Sequence, residues 1–141
     1  MNFVVETRSL THTGVLAMLQ AAVAKAEDIG QPQCIVIVDA SGEPLGEIRM
    51  CRSKFLSRRS ALSKARTAAS IGAPSDAIPE HVRDQIAAAT QGQVTGLGGG
   101  LPIIVEGVLV GGIGVGSGSP EQDIAVARAA LAVVGANGHE N

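Results

Sequence analysis

Three charged residues carry the first hint of chemistry. Lys64 lies in Ser63–Ala68 (SKARTA), on a segment whose apolar line is Leu62, Ala65 and Ala69. Asp123 and Glu121 follow the helix-starting sequence Ser119-Pro120, and Asp123 falls one turn ahead of Ala127 and two ahead of Ala130. A carboxylate on so apolar a face is partly buried and needs a partner. The first turn of a helix favours its charge by roughly 0.3–1 kcal/mol. Asp123 or Glu121 is therefore expected to pair with Lys64, Arg49 or Arg66. Such a pair has two readings. It fixes the register of helix against sheet, or it acts on a small molecule. In the second reading Lys64 or Arg49 orients a ligand carboxylate, and Asp123, Glu121 or His12 moves a proton. The catalytic set is then Lys64, Asp123 and Glu121.

Glycine suggests where a ligand would sit. In Val108–Gly116 (VLVGGIGVG) alternate residues face opposite sides of a strand. Leu109, Gly111, Ile113 and Val115 share one side, while Gly112, Gly114 and Gly116 leave the other bare. Glycine weakens a strand, so three on one face mark the close approach of a backbone or a flat ligand. The loop Gln93–Gly100 ends in three glycines and can turn backbone N–H groups outward. The expected pocket lies between the striped strand, the Gly98–Pro102 loop and the Lys64 helix. Its binding residues are Arg49, Met50, Lys64, Gly98, Gly99, Pro102, Gly114 and Gly116. In the competing reading the glycines only let a helix lie close to the sheet, and the loop is a mobile surface segment.

Other chemistry is sparse. His12 falls in line with Leu16, Leu19 and Val23, His81 follows Pro79, and His139 is in the tail. No HxxxH, His/Cys cluster or acidic cluster has metal spacing, so no metal site is expected. The glycines do not spell a phosphate loop, and Gly112-x-Gly114-x-Gly116 lies inside a strand rather than between strand and helix. Cys34 and Cys51 read as unpaired thiols of a reducing compartment, with a redox pair as the alternative. Lys54, Arg58, Arg59, Lys64 and Arg66 make one segment the basic face of the chain. That face is solvated, or it attracts an anionic ligand or an acidic patch of another subunit.

The 141 residues fit one domain, with a core at about 9–135 and a polar, frayed tail from 136 to 141. Trp and Tyr are absent and Phe3 and Phe55 are the only aromatics, which excludes an aromatic platform for single-stranded nucleic acid. A net charge of -2 argues against a basic nucleic-acid binder. No basic leader precedes a long apolar run, and no stretch is suited to crossing a membrane, so a cytoplasmic protein is expected.

The elements that must position these residues follow from periodicity. A first helix, capped by Ser9 or Thr11, runs to about Glu27 with Val15, Leu19, Ala22, Ala26 and Ile29 in line. Cys34–Val38 and Leu45–Met50 form a hairpin across Asp39–Pro44. A second helix spans Lys54 to about Ser70. Short helices broken at Pro79 fill Ser75–Ala89. A second hairpin joins Leu101–Val105 to Val108–Val115 at Glu106-Gly107. A final helix starts at Pro120 behind a Ser119/Gln122 capping box. Strands joined by tight turns pair antiparallel, giving an α+β layered fold. The last helix carries alanine on several sides, which predicts burial on two sides and self-association.

Four segments resemble the GlcG/HbpS family: Ile37–Met50 (IVDASGEPLGEIRM), Ser63–Ala68 (SKARTA), Gly98–Ile103 (GGGLPI) and Gly111–Asp123 (GGIGVGSGSPEQD). The family includes heme-binding HbpS-like proteins and the C-terminal domain of PduO-type corrinoid adenosyltransferases. The resemblance implies a profilin-like fold with a five-stranded antiparallel sheet. It also implies even oligomers such as octamers and binding of heme or a related planar, carboxylated ligand. If heme binds, the residue types present leave His12, His81, Met50 or a cysteine to hold the iron, with His12 first. After Arg49-Met50 the family usually continues with Asp-Gly, where this chain has Cys51-Arg52. The alternative function is a cofactor-independent enzyme of isomerase, lyase or hydrolase type, acting on a small organic acid or ring-cleavage metabolite in catabolism. A third is an accessory subunit without a pocket.

Overall fold

The β-branched run Cys34–Asp39 (β1) is buried on both faces, and the molecule is layered around it. Cys34, Val36 and Val38 point to one side, and Ile35 and Ile37 to the other. In this computed structural model, which describes residues 1–137, β1 pairs with Pro44–Arg49 (β2) and with Val108–Gly116 (β4). Gly100–Val105 (β3) adds to β4, giving one antiparallel sheet in the order β2-β1-β4-β3. The two hairpins expected from the turn residues thus lie side by side.

Helices cover both faces. On one lie His12–Asp28 (α1) and Pro120–Val133 (α4), which pack on Ile35, Ile37, Leu101, Ile103, Ile113 and Val115. On the other lies Leu56–Ile71 (α2), whose Ala61, Ala65 and Ala69 meet Cys34, Val36 and Val38. The starts of α1 and α4 are set locally. Thr11 Oγ1 accepts the Gly14 N–H at 3.0 Å. Ser119 and Gln122 close a reciprocal capping box, with each side chain accepting the other's backbone N–H. Between α2 and β3 the chain makes two short helical turns, Ser75–Ala77 and Glu80–Val82, on either side of Pro79, and then Arg83–Ala89 (α3).

Two expectations are corrected. The described residues form four strands, not five; beside β3 there is only a single bridge between Ile104 and Asn137. That bridge carries two backbone hydrogen bonds, of 3.1 and 2.7 Å, so the start of the supposed frayed tail is tied to the sheet edge. The rest of the tail, with His139, lies outside the described residues. Along α4, Ala125 and Ala129 are half-buried and Ala132 is exposed. Ala127 and Ala130 are fully buried within the α1/α4 layer of the same chain.

Candidate functional site

The bare face of β4 is occupied by protein. A Cβ at Gly114 would strike the Ala61 carbonyl and the Ala65 amide, and one at Gly112 would strike the Ala65 carbonyl and the Ala69 amide. At Gly116 it would meet Ser57, and at Gly100, opposite Gly114 on β3, the Lys64 carbonyl. The backbone of α2 therefore rests on the backbone of the sheet. Small residues on the helix (Ala61, Ala65, Ala69) answer absent side chains on the strand. The pocket expected between this strand, the Gly98–Pro102 loop and the Lys64 helix is filled, and the glycines serve packing. Pro102 is itself buried.

The loop is not a free surface segment either. The buried Ser75 hydroxyl donates to the Leu97 carbonyl at 2.6 Å and accepts the Gly100 N–H at 3.0 Å. The buried Thr67 hydroxyl accepts the Thr95 N–H at 2.9 Å. Gly98 lies against Asp76, and Gly99, at φ +120°, leaves room for the Lys64 ammonium.

Of the ion pairs the sequence allows, the structure forms Lys64–Asp123. Lys64 Nζ donates to Asp123 Oδ2 at 3.2 Å and to the Val115 carbonyl at 2.8 Å, with side-chain exposures of only 7% and 4%. Asp123 Oδ1 accepts the Gly118 N–H at 3.0 Å. Lys64 leaves one side of the sheet and Asp123 the other, and they meet near Gly99, just before β3 begins. The pair thus ties α2 to α4. Burial raises the Asp123 carboxyl above its ordinary 3.8; Lys64, the Gly118 N–H and Gln33 oppose that rise. The Gln33 amide is fully buried beside this carboxylate, yet neither of its polar atoms makes a hydrogen bond of full geometry. Glu121, by contrast, is exposed and takes no part.

The remaining candidates are scattered. Arg49 is exposed on the β2 edge, where it lines a shallow cavity of about 260 Å³ with Arg58 and Glu47. Met50 packs against the α1/α4 core. Cys34 is buried and Cys51 exposed, and both are free thiols. Arg52, where the family pattern has glycine, sits at φ +73°, the left-handed region that glycine favours. His12 is exposed at the first position of α1, and His81 is exposed in the second short turn.

What the sequence left undrawn is an outer groove. Leu16, Leu19, Val23 and Ala24 of α1 and Ile48 of β2 line an apolar hollow of about 470 Å³, with Glu27 and Glu47 among its other lining residues. Leu16 is 60% exposed and Ile48 40%, although both are large apolar side chains. Gly46 permits this arrangement, since a Cβ there would press on Val15 and Leu19. The signal was present: α1 is apolar at 15, 16, 18, 19, 22, 23 and 26, a stripe wider than one buried face requires. His12 stands one turn before Leu16 on the same line. Among the described residues no three His, Cys, Asp or Glu side chains gather as metal ligands, and no helix is long and apolar enough to cross a membrane.

Comparisons with known proteins agree with this architecture. The chain is 33% identical over 137 residues to the corrinoid adenosyltransferase PduO of Citrobacter freundii, covering 94% of this chain but 41% of that protein. The chain thus spans about two-fifths of the length of the curated PduO relatives it matches. The crystal structure of the PduOC:Heme Complex superposes with a TM-score of 0.86 at 29% identity, covering 94% of this chain and all of that one. The crystal structure of HbpS gives 0.83 at 29% identity, covering 94% of each chain. The family described as "Haem degrading protein HbpS-like" matches residues 10–132, and this chain belongs to it.

Proposed function

We propose that this protein binds heme or a related planar, carboxylated ligand on its outer surface, in the groove between α1 and β2. The observation that carries the reading is the likeness, over 94% of the chain, to a structure solved with heme. The groove supplies what a macrocycle face needs: apolar side chains held on rigid elements and open to solvent. Leu16, Leu19, Val23 and Ile48 would hold the ring. His12, one turn before Leu16 and just beyond the residues that line the groove, would offer an imidazole to the iron, and heme when bound would supply redox chemistry. Glu27 and Glu47 repel carboxylates, so the ligand's own acids point away from them.

A shallow groove covers one face of a flat ligand. A second copy of the chain would cover the other, which favours an even oligomer. The free thiols Cys34 and Cys51 suit a reducing cytoplasm. Lys64 and Asp123 we assign to holding α2 against α4 rather than to catalysis, because each is buried and engaged by the other.

Hemin titration followed by the Soret band tests the proposal. The wild type is expected to bind, Ile48→Glu to bind at least tenfold more weakly, and His12→Ala to show a displaced Soret maximum. A His12→Ala spectrum and affinity identical to wild type would remove the iron assignment. Unchanged binding in Ile48→Glu would remove the groove.

A further inference from the structure

The outer side of α2, on the opposite layer from the heme groove, holds a second site. Leu56, Arg59, Ser60, Ser63 and Arg66 recur at helical spacing and face a hollow of about 470 Å³ whose far wall includes Val94 and Leu97. Arg59 and Arg66 are separated by about 10 Å along the axis at 1.5 Å per residue, and nearly two full turns place them on the same side.

Both cations are available. The Arg59 side chain has no ion pair or hydrogen bond with any described residue. Arg66 donates its Nε to the Gly42 carbonyl at 2.9 Å, which fixes the stem and leaves both terminal nitrogens without a protein acceptor. Neighbouring cations are engaged differently: Arg58 pairs with Glu47 at 3.3 Å, and Lys64 is consumed by Asp123. No Asp or Glu lines the hollow, in a chain whose net charge is -2. Leu56 and Leu97 are 63% and 57% exposed and, with Leu62 and Val94, give the hollow open apolar walls beside the cations.

We propose that this hollow binds a small organic dianion, an apolar body with a carboxylate at each end spaced to meet Arg59 and Arg66. Guanidinium groups suit carboxylates because their paired N–H donors match the two oxygens. The apolar walls select against hydrated inorganic anions, and the two-turn spacing selects against short diacids. The fixed Arg66 sets the position of one end, and the exposed, unpaired Arg59 meets the other.

The test is calorimetric titration with decanedioate as probe, against decanoate and succinate. Decanedioate is expected to bind about tenfold more tightly than either comparator. Arg59→Gln is expected to lower its affinity about tenfold, to the level of decanoate, with no change in unfolding midpoint because Arg59 is exposed and unpaired. Raising the salt from 50 to 500 mM is expected to weaken decanedioate more than decanoate. Equal binding of decanedioate and decanoate would overturn the proposal, as would an Arg59→Gln protein that binds decanedioate normally. An Arg59→Gln change in subunit number without a change in diacid binding would equally overturn it, showing that the hollow is a contact between copies.

Discussion

Replacing Gly114 with alanine adds one methyl where the helix meets the sheet. The new carbon would fall on the carbonyl of Ala61 and the amide of Ala65, both backbone atoms of α2. No side-chain rotation relieves the clash, so the helix must lift. It is held at both sides of the same contact by Gly112 against Ala65 and Ala69, and by Gly100 against Lys64. Burying a methyl contributes about 0.8 kcal/mol, and fewer unfolded conformations add about 0.4–1 kcal/mol. Overpacking costs about 1–3 kcal/mol or more, and backbone contacts place this case at or beyond the upper end. A net loss of about 2 kcal/mol is expected, read as a lower urea midpoint with unchanged slope. Gly14→Ala is the control. It lies in α1 with its nearest neighbour at 3.4 Å, so it is expected to be neutral or stabilising by up to about 1 kcal/mol. A Gly114→Ala protein within about 0.5 kcal/mol of wild type would refute the claim that α2 rests on bare strand.

Three further outcomes follow from the buried pair and the turn after β2. Lys64→Met strands the Asp123 carboxylate and should cost about 3–5 kcal/mol, while Lys64→Met with Asp123→Leu should recover most of it; simple additivity in the unfolding cycle would contradict the pairing. Because burial raises the Asp123 carboxyl above 3.8, the native state holds that proton to higher pH than the unfolded chain. Its contribution to stability is therefore greatest at low pH and declines as pH rises from about 3.8 through the folded value. Urea midpoints measured across that range should show the decline in wild type and not in Asp123→Asn; parallel curves would contradict it. Arg52→Gly should stabilise by about 0.5–1 kcal/mol, since a left-handed residue costs about 1–2 kcal/mol and glycine's extra chain entropy returns part of it; a destabilised Arg52→Gly would show that the Arg52 side chain supports the turn.

Much of the fold could be read from local sequence because local chemistry sets it. The Ser119/Gln122 box, the Thr11 cap, the Pro79 break and the Glu106-Gly107 turn each act within a few residues. The Lys64–Asp123 pair was also legible, since a carboxylate on an apolar helix face must find a cation. What the sequence left ambiguous was who fills the space beside Gly112, Gly114 and Gly116. Absent side chains indicate close approach without naming the partner, and the Ala61, Ala65, Ala69 line of α2 was the complement. The outer groove escaped notice for a related reason. Leu16 and Ile48 are far apart in sequence, and only the pairing of β2 with β1 brings them to one surface. The bridge at Ile104 depends on a single pair of residues and has no periodic signature.

Ligand binding is proposed outside the α2 contact, against α1 and β2. Hydrogen exchange of the intact protein, followed by peptide mass analysis with and without hemin, measures this directly. Slower exchange is expected on hemin binding across 14–25 and in the edge strand 44–50, with 57–69 and 111–116 unchanged. Protection confined to 57–69 and 111–116, with β2 unaffected, would contradict it.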